Sequence, residues 1–261
     1  MNLTDDEVLK FQKGSPVFID DICAVYPAKM DEIVEIGYSK FQLYLGAITS
    51  TKPPPEKNNN QNSEYNKLIE QLTDFQYILM MTALDKEFNS LFKQAFQFFT
   101  HEIPTFSLDP AQIVVGPIQE KHILVEDKFY DLQTIIRRAH FLEQEGEEII
   151  IYADDNEAVK RLKMQMRANR EKVKKAKAKQ AAQEKSDLKL SDLIGSITLD
   201  NCGLNMSNIW GITYYAFHDQ LKRMGWRDQF NINNQAALAG AKLKKHQLKH
   251  WMRSIASTDK S

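Results

Sequence analysis

Apolar residues recur along most of this chain at three- and four-residue intervals, the period of a helix with one buried face. The first such element lies between Asp20 and Thr49, where Pro27 opens a run through Met30, Ile33, Val34, Ile36, Phe41, Tyr44, Leu45 and Ile48. Gly37 either divides that run into two short helices or lets a single helix pack closely. Glu64 to Thr100 repeats the pattern, with Leu72, Phe75, Ile78, Leu79, Leu84, Phe88, Phe92, Phe96 and Phe99 on a broad apolar face. The spacing already gathers these rings, so a packed core is expected there ahead of a hydrophobic ligand. A third helix is expected over Asp127 to Glu145, with Phe129, Leu132, Ile135, Ile136, Ala139 and Leu142 inward and Arg137 and Arg138 outward.

The period changes at Ile103. Phe106-Ser107-Leu108, Ile113-Val114-Val115 and His122-Ile123-Leu124-Val125 are short β-rich runs, punctuated by Asp109-Pro110 and Gly116-Pro117. That is the pattern of a small antiparallel meander. Glu148 to Tyr152 is a further candidate strand. Lys52 to Ser63 reads as a loop, because Pro53, Pro54 and Pro55 oppose helix and the Asn58–Asn62 tract has nothing to bury.

Near the C-terminus, Leu188 to Leu199 is expected to be helical with Leu190, Leu193, Ile194 and Ile197 inward, ended by Asn201-Cys202-Gly203. A short turn follows through Ile209 and Trp210. Thr213 can cap a helix carrying Tyr214, Tyr215, Phe217, Leu221 and Met224. Trp226 and Phe230 are expected to close that unit, and Asn231 to Ala241 to begin another helix of small residues.

Charge alters this picture in one place. From Ala158 to Lys189 there are 12 Lys or Arg and 3 acids, a local charge of +9 in a chain whose net charge is -1. No Gly or Pro interrupts the window, and good helix formers fill it. A long exposed basic helix is therefore expected, with a weak seam at Val159, Leu162, Met166, Asn169, Val173 and Ala176 that would permit self-association. Asp154 or Asp155 would cap its N-terminus. The fold class expected is mainly α with a small antiparallel β element (α+β). It comprises an N-terminal helical/β body over 1–153, a basic helical connector over 154–187 and a C-terminal helical unit over 188–261.

Recognisable catalytic chemistry is sparse. The sequence has no Gly-rich phosphate loop, dinucleotide fingerprint or Gly-x-Ser-x-Gly elbow. His246 and His250 are four apart, but Lys244, Lys245 and Lys249 would repel a cation, so a basic surface is expected instead of a zinc site. His218 and Asp219 are neighbours that point apart on a helix, and His218 is expected to reach solvent or a backbone carbonyl. His101, His122 and His140 read as isolated. Cys23 and Cys202 are expected to be reduced thiols. The acids between Glu143 and Glu157 lack the Gly-centred spacing of a calcium loop. No catalytic residue, cofactor or metal is expected. Asp5, Asp6 and Glu7 have no apolar run behind them, and no stretch reaches the roughly 18 apolar residues of a bilayer span. A soluble, non-membrane protein is the expectation.

The run Gly203-Leu204-Asn205-Met206-Ser207-Asn208-Ile209-Trp210-Gly211-Ile212-Thr213-Tyr214-Tyr215-Ala216-Phe217-His218-Asp219-Gln220-Leu221 resembles a segment of uncharacterised tailed-phage proteins. Leu238-Ala239-Gly240-Ala241 with Leu248-Lys249-His250-Trp251-Met252 resembles the same proteins. More loosely, so does Tyr26-Pro27 with Asp31-Glu32-Ile33, Gly37, Phe41 and Tyr44-Leu45. These are similar to products of tail-morphogenesis regions in phages and prophages of Gram-positive hosts, where tail-assembly chaperones lie. The resemblance implies a non-enzymatic assembly role in the host cytoplasm with phage tail or other virion proteins as partners. The contact residues expected on the basic helix are Arg167, Arg170, Lys174, Lys175 and Lys177. Two alternatives stand beside it, a virion structural or connector component and a nucleic-acid-binding module. The window has no aromatic residue to stack a base, which weighs against the latter.

Overall fold

The structure, a computed structural model, describes residues 4–53, 69, 71–116, 121–142, 189–200, 203–242 and 250–252. The chain divides into two compact units, Met1–Leu142 with Leu204–Ser261, and Glu143–Gly203. It is mainly helical with small antiparallel sheets, as the hydrophobic periods predict.

The first unit begins with α1 (Asp5–Lys13). Thr4 caps it, accepting the Glu7 N–H at 3.2 Å, while Glu7 Oε2 accepts the Thr4 N–H at 2.8 Å. This reciprocal pair satisfies two donors that an uncapped helix leaves open. A hairpin follows, β1 (Val17–Ile19) paired antiparallel with β2 (Cys23–Val25). It was absent from the sequence reading, since three-residue strands are too short to show alternation. Gly37, at φ +87°, separates α2 (Met30–Ile36) from α3 (Tyr38–Ile48), so the run does divide into two helices.

The Glu64–Thr100 stretch yields α4 (Asp74–Leu84) and α5 (Lys86–Thr100). Asp85 parts them and caps α5, its Oδ1 accepting the N–H groups of Glu87 and Phe88 at 2.8 and 3.1 Å. Phe75, Ile78, Leu79, Phe92, Phe96 and Phe99 are buried, whereas Leu84 at the end of α4 is 73% exposed. The meander is β3 (Thr105–Leu108), β4 (Ala111–Val115) and β5 (His122–Leu124), in the order β3-β4-β5. Ile113, Val115 and Leu124 fill its buried face.

Next comes α6 (Glu126–Ala139), shorter than the pattern suggested. Its arginines do not both face solvent. The Arg137 guanidinium donates to the Thr49 carbonyl at 2.7 Å, and buried Gln133 donates to the carbonyls of Ile48 and Ser50 at 2.9 and 3.2 Å. Together they satisfy carbonyls left open at the C-terminus of α3, where positive charge is also favoured. Arg138, with only 8% of its side chain exposed, pairs with Glu7 of α1 at 3.6 Å.

The C-terminal part of this unit is a 3-10 turn (Ile209–Gly211) and the 25-residue α8 (Tyr214–Leu238). The sequence suggested a break near Phe230 and a second helix to Ala241. Instead one helix runs through, since no proline interrupts it and the alanines beyond Phe230 are strong helix formers, and it stops before Gly240 at φ +90°. In the second unit, described on its own, α7 (Leu190–Leu199) buries Ile194 and Ile197, and the Lys189 N–H donates to Asp192 Oδ2 at 2.8 Å. The Lys52–Ser63 loop beyond Pro53, the expected Glu148–Tyr152 strand and the basic helix with its seam all lie outside the described residues.

Candidate functional site

Chemistry-bearing side chains in the described residues gather where α8 meets the N-terminal elements. Thr213 is the pivot. Its hydroxyl donates to the Phe11 carbonyl at 2.7 Å and accepts the Ala216 N–H at 3.0 Å, so one buried side chain caps α8 and ties it to α1. Backbone pairing adds to this: the Met30 N–H donates to Ile212 and the Tyr214 N–H to Ala28, at 2.9 and 2.8 Å. Gly14 closes α1 at φ +78°, and a Cβ there would stand 3.1 Å from the Thr213 methyl. A larger residue would meet both backbone strain and that methyl.

Nearly two turns on, Asp219 is buried against α1. It accepts from Arg223 at 3.0 Å and from the Gln12 amide at 3.2 Å. The charge is thus paired inside the seam, as buried carboxylates require.

His140 lies just past the end of α6 and is 1% exposed. Nε2 accepts the Ala28 N–H at 3.2 Å, which leaves Nδ1 to donate its proton to the Ile136 carbonyl at 2.7 Å. Both nitrogens are committed in the neutral form. Phe99, Phe41 and Tyr214 surround the ring at 5.0, 5.7 and 6.2 Å between centroids. Burial pushes its pKa down to about 4, the Ile136 carbonyl opposing.

His218 is the second imidazole of the seam, packed by Tyr214, Phe217 and Phe141 at 4.3, 5.3 and 5.7 Å. Among the described residues its buried Nε2 has no hydrogen-bond partner, contrary to the expectation of solvent or a carbonyl. Burial again lowers the pKa to about 4. Tyr214 touches both rings; its phenol, hydrogen-bonded to Tyr38, is held well above the usual range chiefly by burial.

The remaining candidates behave as structural groups. Cys23 is buried and free, its thiol pushed up to about 11 by burial and by Glu102, which disfavours the reactive thiolate. His101 stacks on Tyr26 at 4.0 Å. Among the described residues, no three His, Cys, Asp or Glu side chains are grouped to hold a metal, and no helix is long and apolar enough to cross a membrane.

Arg167, Arg170, Lys174, Lys175 and Lys177 lie outside the described residues, as do Cys202, His246 and the acidic run from Glu143 to Glu157. The seam histidines were missed by the sequence reading, though a signal existed. His140 continues the Phe129, Leu132, Ile136 face, and His218 lies four residues from Tyr214 on an aromatic stripe.

Neither the curated proteins nor the solved structures contain a match to the chain. Residues 177–256, under a third of the chain, match the family model for the YomV second domain. The matched span starts within the second compact unit and ends within the first, taking in the whole of α8. That family's name belongs to a phage region, and the similarity gives the C-terminal part of the chain a phage association.

Proposed function

We propose that this protein is a non-enzymatic phage assembly factor of the tail-chaperone type, holding a partner protein through helical and electrostatic contacts. The observation that carries the reading is the charge of +9 between Ala158 and Lys189 in a chain of net charge -1, overlapping the phage-associated match. A strongly basic stretch in an otherwise acidic chain is suited to fast, reversible capture of charged segments in unassembled proteins. Tail components before assembly expose surfaces that aggregate, and a holding factor suppresses that loss. Arg167, Arg170, Lys174, Lys175 and Lys177 are the proposed contacts, and the host cytoplasm the proposed place of action.

The test is affinity capture from infected or prophage-induced cells, comparing the native chain with Glu at those five positions. Tail proteins recovered with the native chain alone support the reading. Nucleic acid recovered without tail proteins sinks it in favour of a nucleic-acid module, whose affinity would also fall steeply with salt. Mass spectrometry of purified particles separates a chaperone, absent from them, from a virion component.

A further inference from the structure

The two imidazoles of the α8 seam are arranged so that neither can accept a proton without losing its place. A proton added to His140 would sit on Nε2, facing the Ala28 N–H that now donates to it at 3.2 Å. Nδ1 is already committed to the Ile136 carbonyl. The ring cannot simply turn over, because aromatic side chains from α3, α5 and α8 enclose it. Among the described residues, His218 Nε2 is buried and unpartnered against an aromatic wall, and none offers a charged imidazolium an acceptor there. Both rings contact Tyr214, the first residue of α8, at 6.2 and 4.3 Å.

We propose that His140 and His218 form an acid-sensitive catch, which holds Ile209–Leu238 against the N-terminal elements while both rings are neutral and releases it when they are protonated. The titratable and charged neighbours do not counter this. Tyr214 on α8 is a phenol held protonated by burial and hydrogen-bonded to Tyr38 on α3. Asp219 and Arg223 of α8 are engaged with each other and with Gln12 of α1. Glu7 of α1 is engaged with Arg138 of α6. Neither histidine has a carboxylate among the causes of its shift; burial is the first cause for both.

The sign follows from these values. The docked state holds His218 at about 4, below the ordinary value of 6.5 that release restores by exposing it; His140, also at about 4, regains only the part that Tyr214 contributes, because Phe41, Phe99, Ala28 and Ile136 stay around it. Above pH 6.5 neither state is protonated and docking is independent of pH. Between 6.5 and about 4 the released state binds more protons, so docking weakens as pH falls, by up to about tenfold per pH unit from His218 and by less from His140.

Hydrogen exchange on the full chain, corrected for intrinsic rate and followed from pH 7.5 to 4, tests this. Amides of Tyr215 to Asp219 are expected to lose protection below pH 6 while those of α3 and α5 keep theirs. H218F should remove the larger part of the slope, about tenfold per pH unit. H218Q, neutral at every pH and still polar, should do the same and serves if the phenylalanine disturbs folding. Unchanged slopes in both variants, or simultaneous opening of α3, α5 and α8 at one pH, would overturn the catch.

Discussion

The two halves of α8 share one backbone and little else. From Tyr214 to Asp219 four of six residues are buried, the cap is made by a side chain that also reaches α1, and the charged residue is paired inside the seam. From Gln220 to Leu238 no described residue is buried, and Ile232 and Leu238 are 59% and 90% exposed. The first half is held by tertiary contact. The second is only partly covered, with Phe230 5.0 Å from His250, and leans more on backbone hydrogen bonding and propensity, which near a helix end is marginal. Local stability should therefore fall along a single element without any break in its hydrogen-bond ladder.

The largest test of that contrast is truncation of a side chain in each half. Phe217→Ala should lower the unfolding free energy by about 3–5 kcal/mol. Leu238→Ala should stay within about 0.5 kcal/mol. Urea titration of the two variants decides it, and a comparable loss from Leu238→Ala would mean that the distal half is covered in solution.

Charge gives a second, smaller contrast. Asp219 has 4% of its side chain exposed beside Arg223, whereas Asp228 lies 3.6 Å from Arg227 with 56% exposed. Removing Asp219 leaves Gln12 and Arg223 without their acceptor, so Asp219→Ala should cost about 2 kcal/mol; Arg223, at 32% exposure, recovers part of its hydration. Asp228→Ala should cost less than about 0.5 kcal/mol. Thermal unfolding at low and high salt separates them, since the buried pair is the less screened of the two. Below these in size, Thr213→Val removes the cap and the hydrogen bond to Phe11 together, for about 1–2 kcal/mol. Thr213→Ser, retaining the hydroxyl, should recover most of that stability in the same titration.

The sequence displays the first half of α8 more faithfully than the second, and the reason is physical. Thr213 before an aromatic run is a cap with a buried face behind it, and both signals agree. Beyond Phe230 the small residues Ala236, Ala237 and Ala239 suggested close packing, yet Ala is also the best helix former and needs no partner. Elsewhere the meander was legible because Asp109-Pro110 and Gly116-Pro117 punctuate β-branched runs. The β1–β2 hairpin was not, being too short for a period. Arg137 and Arg138 read as solvent-facing because charge usually marks an outer face. Their partners, the Thr49 carbonyl and the Glu7 carboxylate, are set by tertiary structure, which no local pattern shows. The seam histidines follow the same rule: His140 is buried because Ala28 and Ile136 meet both nitrogens, a fact of packing.

Gly225 offers the finest division between the halves. It lies in the distal half, and a Cβ there would meet nothing within 4 Å, so Gly225→Ala has room and only the backbone term to change. Alanine in a helix interior is favoured over glycine by about 0.8–1.0 kcal/mol. Where that gain appears depends on how α8 unfolds. If both halves open together, the gain moves the midpoint of global unfolding. If the distal half frays on its own, as its exposure implies, the midpoint stays fixed and hydrogen-exchange protection rises only from Gln220 to Leu238, by up to about fivefold. A shift of the global midpoint by the full amount would show that the distal half unfolds with the core despite burying none of its residues.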